Sequence, residues 1–221
     1  MATRFYFPAT GSGTPSVSPS FDAGWEQTGQ AVRLVLQRKT GLSTRTTLAN
    51  TSTITVPITT TQDILCAQFV SDPIPAQRII GTVSLVDRVL ESATTANVTL
   101  AVVVKVVSQD GGTARGTLFS TFNTGTEFGT TAATRIVNAQ AVTALTTQPG
   151  DRLVVEIGGH AAAPTAATTY TMRFGTSATS DFALTAGLTT DLNPWVELSQ
   201  NIWSADLNNF QRMRSGGLSV A

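Results

Sequence analysis

Short runs in which apolar and polar residues alternate recur along the chain and are separated by turn residues. Alternation with a period of two places successive side chains on opposite faces of a β-strand. The longest run, 98–107, is apolar at nearly every position, which predicts a central strand that is covered on both faces. The pattern predicts nine or ten strands, at 31–38, 54–58, 64–70, 82–85, 98–107, 113–122, 152–157, 169–174, 182–184 and 195–198.

The residues between these runs favour antiparallel connections. The sequence SQDGG supplies Gly111 and Gly112, which can adopt the positive φ that tight hairpins need. Pro149 and Gly150 supply a comparable turn before the next run. The chain shows neither alternation of strands with helices nor a repeat of fixed period. Residues 31–203 are therefore predicted to form one antiparallel β-sandwich, with a jelly roll as the favoured topology.

Residues 1–30 lack this pattern and are predicted to form an extended N-terminal arm. The sequence RFYFP is followed by a stretch rich in Gly, Ser, Thr and Pro, which favours extended backbone. Ordering such an arm costs about 1–2 kcal/mol per residue in backbone entropy, so a large surface must compensate. A neighbouring subunit can provide it, and we expect Phe5, Tyr6, Phe7 and Trp25 to anchor the arm there. The alternative is that the arm folds back along its own sandwich.

Residues 204–221 are predicted to form a second, shorter arm, with Phe210 as an apolar contact. If the N-terminal arm serves only contacts between subunits, deletion of residues 2–20 should leave a folded, soluble sandwich.

Composition narrows the class of partner. Charged residues make up 13% of the chain, and the 14 basic residues balance the 14 acidic ones, so no electrostatic footprint for nucleic acid is present. The only cysteine, Cys66, lies in an apolar run and is interpreted as a buried hydrophobe. Neither a secretory signal nor an apolar run long enough to span a membrane is visible. The protein is expected to be made in a cytoplasm and, at least initially, to stay soluble there.

The chain has few side chains that could act in catalysis, and no catalytic residue, metal site or cofactor is predicted. His160 is the only histidine and is expected in an exposed loop, so any nucleophile activated by histidine would depend on it. One histidine and one distant cysteine cannot supply the usual zinc ligands. Asp110, Asp181 and Asp191 lie in predicted loops where calcium could bind, but we expect them to cap turns.

Two further patterns point to carbohydrate chemistry. Glu156 and Glu197 could flank a glycosidic bond if neighbouring strands brought them together, although solvent-facing strand positions explain both. Trp195 and Trp203 could stack on sugar rings. A carbohydrate-binding jelly-roll module that attaches to surface glycans is therefore the alternative to a role in assembly.

Three passages, SVSPSFDAGWEQTGQAVRLVLQRKTG, PGDRLVVEIGG and NPWVELSQNIW, resemble segments of jelly-roll virion structural proteins of tailed bacteriophages. The resemblance implies a place in the virion, as a capsid decoration or cement protein or as a tail component. Together with the predicted arm, it leads to the hypothesis of a non-enzymatic structural protein. We expect it to form a homo-oligomer and to dock on other virion proteins.

Overall fold

The structure, a computed structural model, describes residues 2–10, 13–38, 52–58, 60–162, 168–176 and 180–203, without the side chains of 52–55. Every regular secondary-structure element within these residues is a β-strand. The strands are β1 (Thr3–Tyr6), β2 (Val32–Arg38), β3 (Ser52–Ile58), β4 (Gln62–Ser71), β5 (Arg78–Ile79), β6 (Thr82–Glu91), β7 (Val98–Val107), β8 (Ala114–Thr121), β9 (Ala133–Ala141), β10 (Leu145–Thr146), β11 (Arg152–Ala161), β12 (Thr168–Phe174) and β13 (Trp195–Leu198).

The strands form two layers. We call the series β3-β12-β6-β13-β1, with β9 also paired to β6, sheet one, and the series β2-β4-β11-β7-β8 sheet two. A short pairing between β1 and β2 joins the two sheets, and β5 with β10 forms a separate small ribbon. The prediction of an all-β sandwich is confirmed.

The hydrophobic core lies between the two sheets. Phe7 of the N-terminal segment contacts Phe69 of sheet two and Phe174 of sheet one, with ring centroids 4.6 Å and 6.4 Å away. Tyr170 crosses the same space, and its hydroxyl donates a 2.8 Å hydrogen bond to the carbonyl of Ile64. Burial of each such ring contributes about 1.5–3 kcal/mol. The aromatic contacts therefore hold the layers face to face.

One strand pair departs from the expected antiparallel pattern. β2 and β4 run parallel, with Val32 beside Ala67 and Leu36 beside Ser71. Between them in the chain comes β3, which pairs with β12 in sheet one. The chain therefore leaves sheet two and returns to it, and such a crossover connection is what parallel neighbours require.

Two other differences concern element assignment. The predicted strand at 182–184 is not a strand; Phe182 and Leu184 instead pack on the outer face of sheet one. β9 was not predicted, because its alternation is broken at Asn138 and Ala139. These two residues lie opposite the single residue Ser84 in a β-bulge.

The N-terminal segment does not form a free arm. β1 lies between β13 and β2, and Phe5, Tyr6 and Phe7 are only 3%, 2% and 0% exposed. The expectation that these rings anchor on a neighbour is wrong for this fold, and the fold-back alternative is what the structure has. The segment completes the sheet and core of its own chain, which requires no loss of association entropy.

The next part of the segment covers the outer face of sheet two. Val17 packs on an apolar cluster of β4, β7 and β11, and Phe21 and Trp25 pack on a second cluster around Leu65 and Val103. Trp25 is therefore buried within its own chain and is also not an anchor for a neighbour. The predicted C-terminal arm, 204–221 with Phe210, lies outside the described residues.

Candidate functional site

The carboxylate of Glu156 is the centre of a buried polar cluster beneath the N-terminal segment. β11 places it on the outer face of sheet two, where the segment covers it completely. Its oxygens accept hydrogen bonds from the indole N–H of Trp25 at 2.7 Å, from the backbone N–H of Asp22 at 3.0 Å and from the amide of Gln68 at 2.9 Å. Lys105 Nζ lies 2.7 Å from Glu156 Oε1. The carboxylate is charge-paired and satisfied.

The same cluster fixes the backbone of the segment. Lys105 donates to the carbonyl of Ser20 at 2.9 Å, and Gln68 donates to the carbonyl of Pro19 at 3.2 Å. Gly158 lies beside the indole of Trp25, and a Cβ there would approach the ring to 2.9 Å. The packing of Trp25 at this point therefore depends on the absence of a side chain at Gly158. The cluster therefore ties the segment to the sheet.

A second cluster holds the other end of the segment on sheet one. Arg4 lies 3.9 Å above the ring of Trp195 and pairs with Asp181 at 3.1 Å and with Glu197 at 3.0 Å. The hydroxyl of Tyr6 donates to Asp181 at 2.8 Å. Trp195 is buried, so the expectation that it stacks on a sugar ring is wrong.

Glu156 and Glu197 do not form a catalytic pair. Glu156 faces outward from sheet two beneath Trp25, whereas Glu197 faces outward from sheet one beside Arg4. The expectation of solvent-facing positions is wrong for Glu156, which is fully buried. A glycosidase needs both carboxyl groups beside one bond. This geometry excludes these two residues from that role.

His160 lies on β11 and not in the expected exposed loop. Its Nδ1 is 2.7 Å from Oδ1 of Asp63, which is directly opposite on β4. On the other side, Thr99 of β7 is its cross-strand neighbour, and the Thr99 hydroxyl is buried with no hydrogen-bond partner among the described residues. The histidine is oriented by a carboxylate but makes no hydrogen bond to that hydroxyl.

The three aspartates considered for calcium have other partners. Asp110 accepts hydrogen bonds from the Ser108 hydroxyl and from the N–H of Gly112, so it stabilises the β7–β8 turn, and these bonds lower its pKa. Asp191 pairs with Arg88 at 2.8 Å, and Asp181 pairs with Arg4. Across the part of the chain that the structure describes, no group of three or more His, Cys, Asp or Glu side chains could hold a metal ion.

Two buried carboxyl groups lie on the inner face of β6. Neither oxygen of Asp87 has a hydrogen-bond partner among the described residues, and burial raises its pKa well above the usual range. Glu91 accepts a 3.2 Å hydrogen bond from the N–H of Val98. Burial raises the pKa of Glu91 to about 7, and the neighbouring Glu127 carboxylate adds to the rise. Burial likewise raises the pKa of the Cys66 thiol, beside Asp87.

The exposed apolar surface is concentrated at one corner of the sandwich. Ile80 and Trp203 are 46% and 40% exposed and are the large hydrophobic side chains that remain exposed among the described residues. The N–H of Ile80 donates to the Gln200 side chain at 2.7 Å, and the N–H of Trp203 to the Gln77 side chain at 3.3 Å. We call Ile80 and Trp203, with these two glutamines, the corner patch.

A groove of about 400 Å³ opens between the two sheets on another side of the molecule. Its walls are β8 with the loop that follows it, and β9. Both strands are sheet edges, because β8 pairs with β7 and β9 pairs with β6. The lining side chains are Phe119, Ser120, Thr121, Asn123, Thr124, Ile136, Val137, Asn138 and Gln140.

This groove was not predicted, because one of its walls, β9, was not predicted as a strand. A signal was present in RIVNAQA, where Ile136 and Val137 precede two residues with amide side chains, Asn138 and Gln140. The bulge shifts the alternation by one position there, so a search for strict period two fails.

The described residues include no helix that is long and apolar enough to span a membrane.

Comparison with known proteins does not identify a family for this chain. No family model and no curated protein matches the chain. Two solved structures of a CocE/NonD family hydrolase from Staphylococcus aureus match at 11% and 10% identity, with TM-scores of 0.30 and 0.31. They cover 92% and 91% of this chain and 35% of each hydrolase chain, so this chain spans about a third of their length.

A structure of the infectious bursal disease virus Gt strain matches at 12% identity with a TM-score of 0.20, over 98% of this chain and 66% of the viral chain. At these TM-scores, neither the hydrolase nor the virus carries an argument about the function of this chain.

The prediction that the protein is not an enzyme is contradicted by the two hydrolase matches, although their TM-scores are too low to assign an activity to this chain. The prediction relied on missing local motifs. A catalytic site is assembled from residues that are distant in sequence, so a missing motif does not exclude one. The exclusion is therefore withdrawn, and no hydrolase activity is assigned to any residue.

Proposed function

We propose that this protein is a structural component of a bacteriophage particle, in the capsid or the tail, where several copies dock on neighbouring virion proteins. The observation that carries the proposal is the corner patch. Since Phe5, Tyr6, Phe7 and Trp25 are buried in their own chain, they are not free to contact a neighbour. The docking surface must therefore lie elsewhere.

The corner patch has the chemistry of a docking surface. Ile80 and Trp203 present apolar area at one place, and exposed clusters of this kind mark contacts between proteins more often than isolated residues do. Tryptophan is also among the residue types that most often dominate binding energy at interfaces. The predicted C-terminal arm, 204–221, continues the chain from Trp203.

The test is the protein content of purified particles, measured by mass spectrometry. We expect the full chain to be present in several copies per particle. The double variant Ile80→Ser with Trp203→Ala should lower its occupancy on particles by at least tenfold, about 1.4 kcal/mol of docking energy. Its thermal melt should be unchanged, because both side chains are exposed.

The matched control is Thr130→Ala, an exposed substitution away from the corner patch. It should load normally. Absence of the wild-type protein from purified particles would overturn the proposed function. Normal loading of the double variant would retain the particle but reject the corner patch as the docking surface.

A further inference from the structure

We propose that the groove between β8 and β9 is a binding site for a neutral carbohydrate. This inference uses none of the residues of the corner patch and does not depend on the protein's place in a particle. The volume of the groove, about 400 Å³, lies within the range of roughly 300–1,000 Å³ that small-ligand sites occupy.

The chemistry of the walls selects the class of ligand. None of the described side chains that line the groove is charged. A phosphate, a carboxylate or a cation would find no opposite charge there. The polar groups are hydroxyls and amides, and amides both donate and accept hydrogen bonds, as adjacent sugar hydroxyls require. Phe119 adds a flat apolar surface, and sugar rings present C–H groups on one face.

The amide of Asn138 is available to a ligand. Its side chain is exposed and makes no hydrogen bond within the described structure, whereas its backbone carbonyl accepts a 2.8 Å hydrogen bond from the side chain of Gln140. Thr124 also lines the groove, and its hydroxyl has no partner among the described residues.

Backbone strain at Ala139 fixes the direction of β9, which forms one wall of the groove. Ala139 has a φ of 46°, which is rare for a residue with a side chain, and its N–H is held by the hydroxyl of Ser84 at 3.0 Å. The bulge at Asn138 and Ala139 turns the chain beside the groove. A strained residue that is held in place next to a cavity is a common feature of binding sites.

The bulges also favour a sugar over an added peptide strand. A peptide that extended a sheet would need a regular row of free backbone groups on an edge. β9 is bulged at Asn138 and Ala139, and β8 is bulged where Leu118 lies between the paired residues Phe119 and Thr117. Bulged edges protect a sheet from such pairing. The groove therefore offers side chains and not a continuous edge.

The experiment uses the full chain on a printed array of neutral and acidic oligosaccharides, followed by calorimetric titration of the best neutral binder. We expect binding to neutral oligosaccharides. Asn138→Ala combined with Thr124→Ala should weaken it at least tenfold, and Phe119→Leu, which keeps an apolar side chain but removes the ring, should weaken it severalfold. The controls Thr130→Ala and Trp203→Ala should bind as the wild type does.

Any one of four other outcomes would overturn the inference that the groove binds a neutral carbohydrate. These outcomes are no binding to any neutral oligosaccharide, a preference for acidic ones, equal binding by the Asn138→Ala/Thr124→Ala variant, or loss of binding in Trp203→Ala. Selection of extended peptides from a displayed library, with binding that the groove variants abolish and with no bound sugar, would assign the groove to a protein partner instead. Thermal melts of every variant separate loss of the site from loss of the fold.

Discussion

Glu156 and Asp87 are both fully buried carboxyl groups, yet their surroundings are opposite. Glu156, on the outer face of sheet two, accepts hydrogen bonds from Trp25 and Gln68 and pairs with Lys105. Asp87, on the inner face of sheet one, has no hydrogen-bond partner among the described residues. Burial alone therefore does not decide what an acidic group does to stability. The donors around it decide, and for Glu156 two of the four, the backbone N–H of Asp22 and the indole N–H of Trp25, belong to the N-terminal segment.

Deleting the first part of the segment, residues 2–20, should have the largest effect on stability. This deletion removes β1 with Phe5, and also Phe7, from the core, and it uncovers the part of the outer face of sheet two on which Val17 packs. Loss of one buried phenylalanine alone costs about 3–5 kcal/mol, which is comparable to the whole stability of many domains. We expect an unfolded or insoluble protein, by circular dichroism and size-exclusion chromatography.

The matched control is triple alanine substitution at Thr14, Pro15 and Ser16, which lie at or near the surface of the same segment. It should leave a folded protein. A folded, soluble deletion variant would restore the original interpretation of a dispensable arm.

Breaking the Glu156 cluster should have the next largest effect. Glu156→Gln keeps the shape but leaves Lys105 buried beside a neutral group, and removing one partner of a buried ion pair costs about 3–5 kcal/mol. Denaturant unfolding measures the loss. Lys105→Met added to Glu156→Gln should recover part of it, because the unpaired charge is then gone. Equal stability of the single variant and the wild type would show that the pair is not formed.

Replacing Asp87 should act in the opposite direction. Asp87→Val removes an unpartnered carboxyl from a position among Val83, Leu85 and Val89. Because an unsatisfied buried polar group costs about 1–3 kcal/mol, we expect the variant to be more stable by that amount at pH 7. Asp87→Asn should gain less, since it cannot ionise but stays polar. A loss of stability in Asp87→Val would mean that the carboxyl has a partner in solution.

The smallest expected effect is a pH dependence due to Glu91. Its pKa rises from 4.5 to about 7 on folding, so the folded state resists its ionisation. The stability that this provides is complete below pH 4.5 and is lost as the pH rises through about 7. Glu91→Gln should make the free energy of unfolding fall less steeply over that interval, measured by urea unfolding at several pH values.

The control for sign is Asp110→Asn. The pKa of Asp110 is lowered by its hydrogen bonds, so its contribution is present above pH 3.8 and is lost as the pH falls below it. This variant should change the acid side of the profile and leave the interval from pH 4.5 to 7 unchanged. An unaltered slope in Glu91→Gln would show that Glu91 ionises normally in the folded protein.

Most strands were predictable because alternation is a local property. β7 and β11 were assigned from the valines and leucines that they place on one face, and the turn after β7 from Gly111, whose φ is 76°. β9 was not predictable in this way, because its bulge displaces the pattern. β1 was missed since four residues are too few for a period to stand out from the Pro-rich sequence that follows.

The site residues were less predictable for a related reason. Trp25 and Trp195 could not be distinguished from Trp203 in sequence, because each lies beside an apolar run. In the structure the first two donate their indole N–H groups to buried acceptors, Glu156 and the carbonyl of Phe182, and only the third is exposed. Exposure depends on which segment covers which face, and that is a contact between residues far apart in the chain.

The sequence by itself determined that this protein is an all-β sandwich with a Thr-rich, weakly charged body, because β-branched residues and period-two alternation act within each strand. Only the tertiary structure decided that the N-terminal residues belong to that sandwich, that Glu156 is buried and paired, and that two bulged edges enclose a groove. The first two outcomes follow from the outer face of sheet two being apolar, since an apolar face must be covered and a segment of the same chain covers it without loss of association entropy. The groove follows from the bulges in β8 and β9.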